Sequence, residues 1–406
     1  MRVAVGIDVA KEFHWVAIVL ADGGKVLWSQ RVDNDPDSID GLIEHLRAVT
    51  AEHGADQGEL TVGIDLMGGV ASLLTAMLLE AGIPLVHVPG LVVNRARRAS
   101  KGGEAKSDPR DAQTIADQLR LRDDWRVVDR PDELSIDLRL LVSRRRELVV
   151  EQTRRLNRLR ETLTSLFPGL ERVVDVTNLS GLQLLARYTT PTEIRKAGRR
   201  RIIEHLLRHG VRRTHAEPLV DKTITAAQAQ RTVVPGEARL AEFVREFATE
   251  AITVRRRITE LDHEISDVLD THPDAALIRS LPGMGATLTA EFLAEAGDLT
   301  RFATADQLAA AAGLAPVLQQ SGKTRYLRRA TTGSRTLKFV FYQSAFCAIQ
   351  RDPASKAFYA RKRAEGKRHH QALIALARRR INVLFALLRT RTPYQPNHTR
   401  ETATAA

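Results

Sequence analysis

The chain has 406 residues, 43% hydrophobic and 27% charged, with a net charge of +12 and a pI near 10.2. That length allows two or three domains with real cores, and the charge points to a polyanionic partner, nucleic acid before a membrane surface. Cys347 is the single cysteine, which excludes a disulfide framework and a cysteine-rich zinc site. Asp8, Lys11 and Glu12 fall where a signal peptide would be apolar, and no uncharged run reaches the ~18 residues of a membrane span, so a soluble intracellular protein is expected. Arginine outnumbers lysine, which suits phosphate recognition, although a GC-rich genome biases codons the same way.

Residues 2–9, RVAVGIDV, read as a buried strand. FHWVAIVL and KVLWSQRV follow as two more, joined by the Gly-containing turn ADGGK. DPDSIDGLIEHLRAVT gives a helix with Ile39, Leu42, Ile43 and Leu46 on one face. LTVGIDL is a fourth strand, VASLLTAMLLEAG a helix ending at Gly82, and PLVHV a fifth strand. A basic loop, NRARRASKGG, leads to a helix opened by Pro109. Three antiparallel strands followed by helix, strand, helix, strand and helix is the ribonuclease-H-like order, a mixed α/β sheet, and the domain is placed at residues 1–125.

Residues 132–272 read as a helical arm. A long arginine-rich helix from Leu134 to Leu166 spaces Leu156, Leu159, Leu163 and Leu166 by three and four. A second places Leu240, Phe243, Phe247, Ala251, Val254, Ile258, Leu261, Ile265 and Val268 on a coiled-coil seam. The two fit an antiparallel arm or pairing between subunits. Between them, about 173–235, lies a small helical lobe, where Thr190, Pro191 and Glu193 form a capping-box pattern. Residues 275–392 form a helical C-terminal domain. It reads as helix, Pro282-Gly283-Met284-Gly285 turn, helix, a further helix, a polar basic loop, an apolar helix and a closing helix; a disordered tail is expected over 393–406.

Two apolar strands end in the same words, Val-Gly-Ile-Asp, at Asp8 and Asp65. In a ribonuclease-H-like sheet these strands are neighbours, and the helix opened by Pro109 crosses their ends with Asp108 and Asp111 on one face of its first turn. Asp108 also fits an N-cap, with Pro109 as first helical residue and Asp111 as the acid of a capping box. Four converging carboxylates would repel unless some took up protons or Mg²⁺, a hard cation with oxygen ligands, relieved them. Two ions ~4 Å apart would stabilise the attacking and leaving oxygens of a phosphoryl transfer. Lys106 and Arg110 would draw phosphate to this place.

The Pro282-Gly283-Met284-Gly285 turn resembles a helix–hairpin–helix element. Gly283 and Gly285 there either let the backbone approach phosphate or serve a plain turn. In QQSGKTRYLRRATTGSRTLK, Ser321 lies among Lys323, Arg325, Arg328, Arg329 and Arg335. From chemistry alone it is one loop serine among several, in a field that grips phosphate or stabilises a pentacovalent transition state. His369 and His370 have no partner ligand at metal spacing.

The stretches GIDVAKEFHWVAIV, GIPLVHVPGLVVNRAR and KSDPRDAQTIA, with the C-terminal order Pro-Gly-x-Gly, Ala-Gly-Leu-Ala-Pro and Ser-Gly, resemble the transposases of the insertion sequence 110 family, the DEDD transposases or bridge recombinases. The resemblance covers nearly the whole chain. It implies a RuvC-like N-terminal domain, a coiled-coil region and a C-terminal transposase domain. It implies that Asp8, Asp65, Asp108 and Asp111 hold Mg²⁺, and that Ser321 forms a covalent 5′-phosphoserine link to DNA. It also implies a structured non-coding guide RNA, dimers to tetramers on DNA with composite active sites, and a cytoplasmic, nucleoid-associated place in a bacterium. The family has Glu in a Glu-x-Thr-Gly context where this chain has Asp65, one methylene shorter. Two other readings stand beside it: a Mg²⁺-dependent nuclease using the carboxylates alone, like a Holliday-junction resolvase, and a non-catalytic nucleic-acid-binding protein.

Overall fold

A computed structural model describes residues 2–53, 59–100, 105–122, 124–125, 127–128, 133–297, 299–322, 324–328 and 330–396. The chain divides into two compact units, Met1–Arg130 and Pro131–Ala406. Among the described residues no helix is long and apolar enough to cross a membrane.

The first unit is built on five strands: β1 (Val3–Asp8), β2 (Phe13–Leu20), β3 (Val26–Asp33), β4 (Leu60–Ile64) and β5 (Leu85–His87). Their order is β3-β2-β1-β4-β5. β1, β2 and β3 run antiparallel, while β4 and β5 lie parallel to β1. This is the mixed sheet expected from the strand order. β1 is apolar on both faces because both faces are covered. On one, α1 (Pro36–Glu52) and α2 (Ser72–Glu80) bury Ile39, Leu42, Leu46, Leu74 and Leu78 against Val5, Ile7, Val16 and Val62. On the other, Ile115 and Leu119 of α4 (Asp108–Leu121) pack with Ala4 and Val86.

Two local expectations are corrected. Most of the basic loop NRARRASKGG is helix: α3 spans Gly90–Ala99 and buries Val93 and Arg97 one turn apart, while residues 101–103 lie outside the described residues. The N-cap of α4 is Ser107, in extended conformation, not Asp108; its side chain makes no capping bond. Asp108 and Pro109 are the first two helical residues, Arg110 stands where a capping box needs its acid, and capping therefore does not account for Asp111.

The second unit is helical: α5 (Glu133–Leu166), α6 (Pro168–Glu171), α7 (Leu179–Leu185), α8 (Pro191–Arg208), α9 (Arg213–Ala229), α10 (Glu237–Thr271), α11 (Ala275–Ser280), α12 (Ala286–Ala296) and α13 (Ala305–Ala311) lead to a hairpin of β6 (Val317–Ser321) and β7 (Thr324–Arg328), then α14 (Arg335–Arg351), α15 (Pro353–Ala364) and α16 (His369–Thr390). α5 and α10 lie antiparallel, as the cross-links Arg145–Asp262, Gln152–Ala251 and Arg155–Glu250 require. The buried line on α10 is Ala241, Val244, Ala248, Ala251, Leu261, Ile265 and Leu269. In its first half this is one position beyond the expected seam, so Phe243 is 40% exposed; small Ala248 and Ala251 let the backbones approach. Thr190 and Glu193 form the expected capping box of α8.

One core joins the lobe α6–α9 to the far ends of α5 and α10. Another joins Leu138, Val142, Ile265 and Leu269 at the near ends to α11–α16. The polar basic loop holding Ser321 is in fact the β6–β7 hairpin. Of the tail expected to be disordered, Tyr394 packs on the core and donates its N–H to Ser280 Oγ at 2.9 Å; residues 397–406 lie outside the described residues.

Candidate active site

β1 and β4 are parallel neighbours in register from Val3 opposite Leu60 to Ile7 opposite Ile64. Asp8 ends β1 and Asp65 follows β4 directly, so the two carboxylates leave the sheet side by side at the same edge. The Val9 N–H reaches Asp65 Oδ1 at 3.4 Å. The glycine two residues before each acid explains how α4 arrives. Gly6 and Gly63 face one another across the ladder. A Cβ on Gly6 would stand 2.0 Å from Ala112 O, and one on Gly63 would stand 2.9 Å from Ile115 Cγ2. The bare backbone there is a shallow bed in which α4 lies directly on the strands, bringing its first turn, with Asp108 and Asp111, toward the strand ends.

The other three acids all bear on Asp8. Burial first, then Asp65, Asp111 and Asp108, push the Asp8 carboxyl up to about 7, with Lys106 opposing. Burial also raises Asp65; hydrogen bonding from Val9 N–H and its own backbone pulls it down, Asp111 pushes it up and His87 pulls it down. Asp111 is buried and faces Arg97, whose Nε lies 2.9 Å from Asp111 Oδ1.

Asp8 carries a proton affinity that a divalent cation would relieve, and the donors are hard carboxylate oxygens suited to Mg²⁺. Among the described residues no three His, Cys, Asp or Glu side chains stand close enough to enclose a metal ion. That fits a cation that keeps several waters and takes only one or two carboxylates, with one Asp111 oxygen held by Arg97.

Two residues of this place were not singled out in the sequence. His87 ends β5 as Asp8 ends β1, and its Nε2 lies 3.2 Å from the Asp65 carbonyl oxygen; a titratable residue at a parallel strand end was the available signal. Arg97 falls within the stretch that reads as a basic loop, and nothing in its local sequence marks it as buried. Lys106 is exposed beside the acids, whereas Arg110 also donates to Ser100 Oγ at 3.3 Å, tying α4 to the end of α3.

In the second unit Ser321 ends β6, exposed, opposite Thr324 across a turn through Gly322 at φ 53°. The register puts Arg328, opposite Val317, on the serine's face of the hairpin, and Arg325, opposite Gln320, on the other. Arg335 is the exposed first residue of α14, while Lys323 and Arg329 lie outside the described residues. Gly313 and Gly333 cross backbone to backbone at the hairpin's base, where a Cβ on Gly333 would meet Gly313 N at 2.5 Å. Ser334 donates to Glu295 Oε1 at 2.6 Å, and Lys338 Nζ to Gly313 O at 3.1 Å.

The Pro282–Gly285 turn has a structural use. Gly283, at φ 85°, lies against α14, where a Cβ would meet Ser344 O at 2.5 Å. Buried Arg380 donates to the Pro282 carbonyl and to Ser344 Oγ; burial lowers its pKa to about 10, with Asp352 opposing. Gly283 is thus occupied by protein backbone. Gly285 is open, at the N-cap of α12.

Comparison with known proteins shows the family to which the chain belongs. A family model described as "Transposase" matches residues 5–168, and one described as "Transposase IS116/IS110/IS902 family" matches residues 275–360. An insertion element IS116 protein of Streptomyces clavuligerus is 41% identical over 97% of this chain and 96% of its own length. An insertion element IS110 protein of Streptomyces coelicolor is 37% identical over 97% and 95%. Among solved structures, Thermus thermophilus RuvC in complex with a Holliday junction substrate covers 32% of this chain and 100% of its own at 15% identity, with a TM-score of 0.24. Full-length identity of this order, with family matches over both the unit that gathers the acids and the region that carries Ser321, places the chain in the IS110 family of transposases.

Proposed function

We propose that this transposase cuts and rejoins DNA strands by divalent-cation-dependent phosphoryl transfer, with Asp8, Asp65, Asp108 and Asp111 as the acidic site and Ser321 as the nucleophile. The observation that carries this reading is the Asp8 carboxyl, pushed up to about 7 by burial and by three other acids. Asp65 and Asp111 come from separate segments of the chain, and a lone strand-end or capping residue would not meet them.

Of Asp8, Asp65, Asp108 and Asp111, one or two at a time would hold a cation directly, its other ligands being water, and Asp111 would have free only the oxygen that Arg97 leaves. A bound Mg²⁺ supplies charge stabilisation to the oxygens of the transferring phosphoryl group. The chain's own residues do the rest. Lys106 draws the phosphodiester to the acids. Ser321 Oγ attacks phosphorus as it gives up its hydroxyl proton, the P–O3′ bond breaks, the 3′-oxygen takes up a proton and leaves as a hydroxyl, and a 5′-phosphoserine remains. Reversal by a 3′-hydroxyl of another strand rejoins DNA without loss of bond energy. Arg328, on the serine's face but four residues along the ladder, adds to the positive field that holds the DNA backbone there. Family resemblance adds a structured guide RNA and a dimer to tetramer on DNA to this reading.

The test is a denaturing gel of the enzyme with duplex carrying the DNA that flanks its gene. A covalent protein–DNA adduct is expected, absent in Ser321→Ala while DNA binding persists. An adduct surviving in that variant removes Ser321. Cut strands with free 5′-phosphates and no adduct would instead favour water as nucleophile and the carboxylate-only nuclease.

A further inference from the structure

Asn34 lies just beyond β3 and belongs to none of the motifs used above. Its backbone N–H donates to Glu12 O at 3.0 Å. Its side-chain nitrogen donates twice, to Lys11 O at 3.1 Å and to Val70 O at 3.3 Å. Lys11 is in the turn that leaves Asp8, and Val70 is in the short helical turn Gly69–Ala71 reached from Asp65. Beyond the last ladder pair, Ile7 opposite Ile64, β1 and β4 no longer bond to one another. One planar amide therefore joins the two loops that leave the acids, in addition to the long contact from Val9 N–H to Asp65 Oδ1.

A second observation concerns the other end of that amide. His14 on β2 is fully buried. Burial lowers the proton affinity of its ring, and the neighbouring Asn34 side chain partly opposes this. Neither His14 nitrogen has a well-formed hydrogen bond among the described residues, and neither does Asn34 Oδ1. Buried polar atoms left this way cost stability, and packing alone would favour leucine at position 14. The pair has a use if the ring keeps the amide oriented, oxygen toward His14 and NH₂ toward the two carbonyls.

We propose that Asn34 is a positioning residue of the carboxylate site, oriented by His14, and that it sets the spacing at which Asp8 and Asp65 meet a divalent cation. The inference rests on the metal-dependent reading given above. Groups that orient metal ligands change affinity 10–100-fold when removed.

The experiment reads Mn²⁺ binding to the full-length protein by electron paramagnetic resonance, with no DNA and no turnover. Asn34→Ala is expected to weaken Mn²⁺ binding by about tenfold, and strand cleavage to need correspondingly more Mg²⁺. Asn34→Asp, which sets a carboxylate against two carbonyls, should be weaker still. His14→Leu keeps an apolar core and the amide donors, so it tests the idea even if the Asn34 variants do not fold; a smaller loss than that of Asn34→Ala is expected from the freed amide. A purely structural role would lower the melting temperature and leave the Mn²⁺ affinity of the folded protein unchanged, and that result overturns the proposal. Failure of the reading itself looks different: wild type would bind no Mn²⁺, or Asp8→Asn would bind it as well as wild type, and the proposal would fall with it.

Discussion

Arg97 Nε stands 2.9 Å from Asp111 Oδ1, with both side chains 8% exposed. The pair locks α4 against α3 and offsets one charge of the acid cluster from inside the fold. Breaking such a pair from one side leaves a buried charge without a counter-ion. Arg97→Met is expected to destabilise the protein by about 3–5 kcal/mol in urea unfolding. Adding Asp111→Leu should recover most of that stability, because the orphaned carboxylate is gone, but should not restore strand cleavage. A single Arg97→Met with wild-type stability would show that the pair is not formed in solution.

Asp8 gives a pH signature. Its carboxyl is held at about 7 in the fold against 3.8 ordinarily, chiefly by burial. Between those values the folded chain keeps a proton that the unfolded chain has lost. Stability from this group therefore falls as pH rises from about 4 to about 7 and is level above that. With discount for solvent screening the fall is roughly 1–2 kcal/mol. Asp8→Asn should remove it, in urea unfolding at a series of pH values without divalent ions. Mg²⁺ should stabilise wild type more at pH 8 than at pH 6, since a ligand carboxyl must be deprotonated to bind, and should stabilise Asp8→Asn less.

The two strand glycines differ in what a methyl group would meet. On Gly6 it strikes the α4 backbone at Ala112 O, 2.0 Å away; on Gly63 it meets side-chain ends of Ile115 and Leu119 at 2.9 Å. Backbone cannot step aside as side chains can. Gly63→Ala should cost about 1–3 kcal/mol and leave some cleavage; Gly6→Ala should cost more and abolish cleavage by displacing the helix that carries Asp108 and Asp111. Equal effects in urea unfolding and cleavage assays would contradict the close seating of α4.

At the base of the serine hairpin, Gly333 has φ 101° and no room for a Cβ beside Gly313. Gly333→Ala is expected to loosen the segment 316–332 while the helical core, which ends at Leu314 and Ala315 on this side, stays folded. Limited proteolysis should then cut within that segment, and the covalent adduct of Ser321 should fall by about tenfold or more. Unchanged proteolysis and adduct yield would show that the crossing does not hold the hairpin.

Where burial follows a period, the sequence was readable. Val3–Ile7 is a continuous apolar run and Leu60–Ile64 is broken only by Thr61, Ile39, Leu42, Ile43 and Leu46 mark one helical face, and Thr190–Glu193 is a cap written in nearby residues. The β6–β7 hairpin escaped because both its faces are largely exposed, leaving no alternation to see. α3 escaped because one of its two buried residues is Arg97, and a charge is read as solvated until its partner, fourteen residues on, is known. The acids of the candidate site were visible as strand-end and helix-start residues. The glycines beneath them were visible too, but their reason, the close seating of α4, needed the third dimension. Asn34 carried no local signal, since its side-chain partners are the Lys11 and Val70 carbonyls of two other segments, and His14 stands unmarked within FHWVAIVL.

The most direct test of the account is cleavage of an end-labelled duplex bearing the gene's flanking DNA, by wild type and Asp8→Asn, in Mg²⁺ and in EDTA. The account predicts cutting by wild type in Mg²⁺ alone, reduced by about a hundredfold or more in Asp8→Asn. Cutting in EDTA, or an Asp8→Asn enzyme as fast as wild type, would contradict it.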